Sequence, residues 1–108
     1  AKGLTADRLR VQGEPAVLLI SLLASAYKNM IAVSLCLKEN ITQASQIATA
    51  LKLHPFVVSK TLPFSRSIPL ANLVETYKNF TRIDAAIKRG IMEEDIGLDM
   101  LIVRLCHA

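Results

Sequence analysis

The chain has 108 residues, 52% of them hydrophobic and 20% charged, with 13 basic side chains against 9 acidic ones. That length fits one domain with a core of its own, and that composition excludes an intrinsically disordered chain. The net charge of +4 is scattered, with no run of five or six like charges, so it describes a solvated surface and gives no argument of its own for a nucleic-acid partner.

Trp is absent and only two Tyr and three Phe occur, so the core must be built on Leu, Ile, Val and Ala. The chain opens on Ala1 rather than Met and is read as a fragment of a longer protein. Every readable element has helical period, and no stretch alternates apolar and polar residues as a strand would. The expectation is an all-α fold, a compact bundle of about five to six helices, with residues 1–108 forming a single helical domain.

Residues 4–12 read as the end of a helix, stopped by Gly13. Pro15 suits the first position of the next helix, which runs to about Leu37. Its expected inner stripe is Leu19, Leu22, Leu23, Ala26, Met30, Val33 and Leu37. At 1.5 Å per residue that helix would be roughly 34 Å long. The segment Ala16 to Leu37 is nearly all apolar, and Ala24-Ser25-Ala26 mimics a signal-peptidase site. Yet Glu14 and Pro15 precede the apolar run, and Lys28 and Asn29 fall at its middle. A charge there costs about 2.5–3.5 kcal/mol on the lenient insertion scale. The segment is therefore read as a central buried helix, not a membrane span or a secretory signal.

Lys38-Glu39-Asn40 is a polar break. Thr42 is the expected cap of the next helix, with Ile41 as a staple before it. That short helix should bury Ala44, Ile47, Ala48 and Leu51. The turn Lys52-Leu53-His54 leads to Pro55, again at a helix start, and Val58 and Leu62 give the following helix its inner face. Pro63 lacks an amide donor and clashes one turn back, so this helix should end or kink near Leu62. Pro69 opens a helix carrying Leu70, Leu73, Val74, Tyr77, Phe80 and Ile87, and Gly90 stands where a left-handed cap is expected. Ile91 to Gly97 reads as a short acidic connector, and a last helix buries Leu98, Leu101, Ile102 and Leu105.

The catalytic inventory is thin. His54 and His107 are the only histidines, and neither has a Cys, Asp or Glu at metal-ligand spacing. His54 reads as a turn residue and His107 as part of a chain end. No Gly-rich phosphate loop occurs. Cys36 and Cys106 form neither a CxxC nor a zinc pattern and read as two buried thiols of a cytosolic protein, with a disulfide as the lesser alternative. Glu93-Glu94-Asp95 complements the positive end of the last helix, worth about 0.3–1 kcal/mol. No catalytic, cofactor or metal site is therefore expected.

Two places carry more information. Asp84 and Lys88 are four apart in the favourable acid-first order, worth about 0.3–0.5 kcal/mol if exposed. Asp84 also continues the Leu73, Tyr77, Phe80 stripe, and a carboxylate at the edge of an apolar seam needs a partner, from Lys88, another helix or another subunit. The second place is Thr42 to Leu62, which reads helix, tight turn, helix, the outline of a DNA-reading helix-turn-helix with Ser59 and Lys60 facing the groove. Against that, the would-be recognition helix carries only Lys60 before Pro63, whereas a phosphate-gripping surface needs several cations. Packing is favoured over DNA reading.

With these residues in view, the chain resembles the C-terminal domain of the DNA polymerase III delta subunit, a clamp-loader component. Gln12-Gly13-Glu14-Pro15 with the following Leu-rich helix resembles that domain's opening. Ile47-Ala48 through Leu53-His54-Pro55-Phe56-Val57-Val58-Ser59-Lys60 resembles its His-Pro segment. Asp84-Ala85-Ala86-Ile87-Lys88-Arg89-Gly90 resembles the ending of its long helix, and Leu101 to Leu105 its closing helix. Pro63 and Ser67-Ile68-Pro69 depart from the family pattern and point to a differently bent helix there.

The resemblance implies a collar-type helical domain without ATP hydrolysis and without cofactors. It implies cytoplasmic location, with no membrane and no small-molecule substrate. Its partners would be the collar domains of the gamma/tau and delta-prime clamp-loader subunits in a ring of five. DNA would be met only through the whole complex, and the N-terminal AAA+-like, clamp-opening region is absent from this chain. Five positions in a ring require two unlike faces per domain. The expected faces are the turn with His54, Pro55, Phe56, Val57 and Lys60, and the 84–105 region with Asp84, Lys88 and Gly90. A helix-turn-helix DNA-binding domain is the alternative.

Overall fold

The structure, a computed structural model, describes residues 15–107, with side chains described to Leu105. The expectations for residues 4–13, Glu14 and the Cys106 and His107 side chains lie outside the described residues. Among the described residues there are five helices and no strand: α1 (Ala16–Lys38), α2 (Ala44–Leu51), α3 (Pro55–Ser67), α4 (Leu70–Lys88) and α5 (Glu94–His107). The all-α expectation holds. The chain divides into two units, one of the described residues up to Ser25 with those from Thr76 on, the other of Ala26–Glu75.

The Ala26–Glu75 unit has an aliphatic core of Val33, Cys36, Ile47, Ala48 and Val58, ringed by Leu37, Ile41, Ala44, Leu51, Leu53 and Leu62. Cys36 is a free, buried thiol. Two helix ends here close in the same way. At α1, Asn40 takes φ +64°, the Asn40 amide donates to Leu37 O at 3.1 Å, and the Ile41 amide donates to Cys36 O at 2.9 Å. At α2, Lys52 takes φ +57°, and the Leu53 amide donates to Ala48 O at 3.0 Å. Both are Schellman ends, in which the residue after the left-handed one folds its side chain back onto the helix it has left. Ile41 and Leu53, both partly buried, pack against the core of Val33, Cys36, Ile47, Ala48 and Val58. Ile41 was expected as a staple directly before the cap of α2, but its amide closes α1 and it stands two residues before the Gln43 cap. Thr42 is not the cap of α2. That position is Gln43, extended and without a side-chain cap bond, because the Schellman end places the chain one residue further on before the next helix can start.

Pro63 does not end α3, which runs on to Ser67. Beyond Pro63, buried Ser65 donates its Oγ to Met30 O of α1 at 2.9 Å. That bond fixes the far half of α3 where a proline alone would break it.

In the other unit, Ala16, Ile20, Phe80, Ile83, Leu98, Leu101 and Ile102 are buried. Helix α4 ends at Gly90 (φ +74°), with the Gly90 amide on Ile87 O at 3.0 Å and the Ile91 amide on Ala86 O at 2.9 Å. This left-handed cap was expected. Gly97 was expected in a connector, but it lies in the first turns of α5 and is buried. A Cβ there would sit 2.8 Å from Ile83 Cγ2 and 2.8 Å from Ile87 Cδ1. Glycine lets α5 approach α4 this closely. Glu94 and Asp95 occupy the first turn of α5, as the dipole argument requires.

The expected face of α1 is only partly right. Leu22 and Ala26 are exposed, while Ala16, Ile20, Val33, Ser34 and Cys36 are buried. The helix is long and apolar enough to cross a membrane by length and composition, and 17% of its most apolar window is buried. It is thus not the buried central helix expected. With nearly every position apolar, periodicity could not select the face.

The three left-handed positions make a direct comparison. Replacing Lys52 with glycine relieves the strain of an L side chain in that region and is expected to stabilise the fold by about 0.5–1 kcal/mol. Gly90→Ala is expected to cost about 1 kcal/mol, purely from the backbone, since no atom lies within 4 Å of the new methyl. Urea unfolding of the two variants, one shifted each way, checks the assignment.

Candidate interaction surfaces

The His54–Lys60 segment is built by one helix start. His54 caps α3, its Nδ1 accepting the Phe56 amide at 3.0 Å, and Pro55 fills the first helical position. With that start fixed, Val58 turns inward and is fully buried, whereas Phe56 turns outward and is 62% exposed. The Lys60 ammonium lies over the Phe56 ring at 5.3 Å from its centroid. Phe64, a further turn along, is 52% exposed. Phe56, Lys60 and Phe64 thus follow one another in steps of four along the side of α3 away from the Val58 and Ser65 side. No carboxylate occurs from Asn40 to Val74, while Lys52, His54, Lys60 and Arg66 do, and all four are exposed.

The Asp84, Lys88 and Gly90 positions gather at the end of α4. Lys88 Nζ reaches Asp84 Oδ2 at 2.8 Å, with the lysine side chain 67% exposed and the aspartate 25%. The second oxygen, Oδ1, is buried and has no hydrogen-bond partner. The partner demanded of Asp84 is therefore supplied on one oxygen only.

Within the expected 84–105 face, helix α5 adds apolar residues that the sequence alone did not single out. Ile96, Met100 and Val103 are all large and exposed, at steps of four and three, opposite the buried Leu98, Leu101 and Ile102. With Asp99 and Arg104 they line an open hollow of about 470 Å³. A signal was present, since α5 is apolar on both sides, and a helix apolar all round has a second face to bury. Phe64 escapes any reading that ends α3 near Pro63. A second hollow of about 400 Å³ on α2, lined by Ser45, Gln46, Thr49 and Ala50, offers no titratable group. Among the described residues no three His, Cys, Asp or Glu side chains gather at a metal-holding site.

The family model described as DNA polymerase III delta subunit, C-terminal domain, matches residues 4–105. Among solved structures, the DNA clamp loader delta protein of Bacillus subtilis is similar, with a TM-score of 0.87 at 20% identity over 94% of this chain. The likeness at that identity is one of fold, and the chain spans 30% of that protein's length. No curated protein matches by sequence.

Proposed function

The chain belongs to the family of C-terminal domains of the DNA polymerase III delta subunit, and we propose that it works as the assembly domain of a clamp loader. In this reading residues 1–108 act as one non-catalytic, cofactor-free domain in the cytoplasm. It joins the collar domains of the gamma/tau and delta-prime subunits in a ring, and meets DNA only through the whole complex.

The observation that carries the reading is the chemistry of the outward helix faces. Single exposed apolar residues are ordinary on a protein surface, but α3 and α5 each carry them in helical register on the side away from the core. The two faces are also unlike. The α3 face is aromatic and basic, and the α5 face is aliphatic, with Asp99 and Arg104 at its edges. Unlike faces are what heterologous ring contacts demand. The Asp84 Oδ1 atom adds a buried acceptor on the unit that carries α5. A helix-turn-helix role in duplex DNA has less support, since α3 carries only Lys60 and Arg66 as cations and its outward face is occupied by phenyl rings.

Placing a charge on each face tests the proposal. Phe64→Asp, Val103→Asp, Lys60→Glu and Asp84→Lys, each introduced into the full-length protein, are expected to weaken co-assembly with the other loader subunits at least tenfold. Helicity by circular dichroism should be unchanged for the Phe64, Val103 and Lys60 variants, whose side chains are exposed. Normal assembly of all four variants would sink the proposal.

A further inference from the structure

We infer that the α3 face receives an amphipathic helix whose apolar stripe is flanked by Asp or Glu, supplied by a neighbouring subunit. This rests on the assembly reading above and names the chemistry of one partner. Three observations converge on it. The stripe Phe56, Lys60, Phe64 advances four residues per step, so its rings stand about 12 Å apart along the helix axis. Such a ridge of side chains four residues apart packs into the groove of a second helix. The 35-residue stretch from Asn40 to Val74 contains no carboxylate, yet exposes Lys52, His54, Lys60 and Arg66. A partner that complements this charge would therefore be acidic.

Lys60 sets the geometry of the match. It lies between two exposed rings, its ammonium already over one of them. A helix seated on Phe56 and Phe64 would shut water away from Lys60, leaving a carboxylate on that helix as its natural partner. Contacts of this kind, central and ringed by apolar groups, dominate binding where they occur. Single-stranded nucleic acid is also acidic and stacks on aromatic rings, but it tracks a groove lined by several cations, and α3 has two.

The test uses the full-length protein and the purified partner subunits of its own clamp loader. Lys60→Met and Phe64→Ala should each lower partner affinity at least tenfold. Lys60→Met should also reduce the salt dependence of what binding remains, because it keeps the stem and removes only the charge. Variant and wild-type proteins should be equally helical. Wild-type assembly that neither substitution weakens, or a salt dependence that Lys60→Met leaves intact, overturns the inference while the assembly role stands. Failure of the wild-type protein to assemble at all overturns the assembly role and this inference with it. Binding of an oligo-deoxythymidine probe lost in both variants, with partner affinity unaffected, assigns the face to single-stranded DNA and also overturns it.

Discussion

Phe80→Ala is expected to destabilise the chain by about 3–5 kcal/mol, while Phe64→Ala, the same change of side chain, leaves stability within about 0.5 kcal/mol. Of the three phenylalanines only Phe80 is buried, at 0% exposure, against 62% for Phe56 and 52% for Phe64. Removing a ring from a closed site loses its transfer energy and leaves a cavity that the surrounding side chains fill only in part. Removing a half-exposed ring leaves no closed cavity and loses only part of the transfer energy. At about 4–8 °C per kcal/mol for a domain near this size, Phe80→Ala should lower the melting temperature by well over 10 °C. Equal losses for the two variants, read by thermal unfolding, would mean that Phe64 is a core residue. The outward face of α3 would then not be aromatic.

Gly97→Val is expected to cost about 1–3 kcal/mol through overpacking, although a glycine inside a helix would ordinarily be improved by a side chain. A Cβ at this position meets Ile83 Cγ2 and Ile87 Cδ1 at 2.8 Å and Met92 Sδ at 3.2 Å. The end of Ile87 can swing aside. The Ile83 methyl sits on a branched Cβ with little freedom, and Ile83 is itself buried. Gly97→Ala in an Ile87→Val background, which deletes one of the two clashing methyls, should therefore be less harmful than the sum of the single changes. Strict additivity in a double-mutant cycle would show that α5 does not lie against α4 at this glycine.

The sequence made some of this legible and hid the rest for physical reasons. Helix starts and stops were readable where one residue type has one backbone solution. Pro55 at a first position and Gly90 at a left-handed cap are examples, and both appear as expected. Asn40 and Lys52 perform the same left-handed turn as Gly90 without advertising it. The Thr42 cap was accordingly misplaced, since a polar residue before a helix is a preference that the preceding Schellman end can override. The α1 face was wrong at Leu22 and Ala26 because an almost wholly apolar segment has no polar side to orient it. Ile83 was omitted from the α4 core although it lies three residues beyond Phe80.

The candidate surfaces divide similarly. The Asp84–Lys88 pair followed from spacing and is present at 2.8 Å, but that only one of the aspartate's oxygens is satisfied is a fact of burial that no spacing shows. The outward stripes of α3 and α5 needed the core faces to be known first. Only with Val58, Ser65, Leu98 and Leu101 turned inward do Phe56, Phe64, Ile96, Met100 and Val103 stand out as apolar groups left uncovered.

Native mass spectrometry of the full-length protein mixed with the proposed gamma/tau and delta-prime partners tests the assembly role most directly. The assembly role predicts one defined hetero-oligomer containing this protein, depleted when Phe64→Asp and Val103→Asp are combined. A wild-type protein that stays apart from those partners at micromolar concentration, while remaining folded, would contradict it.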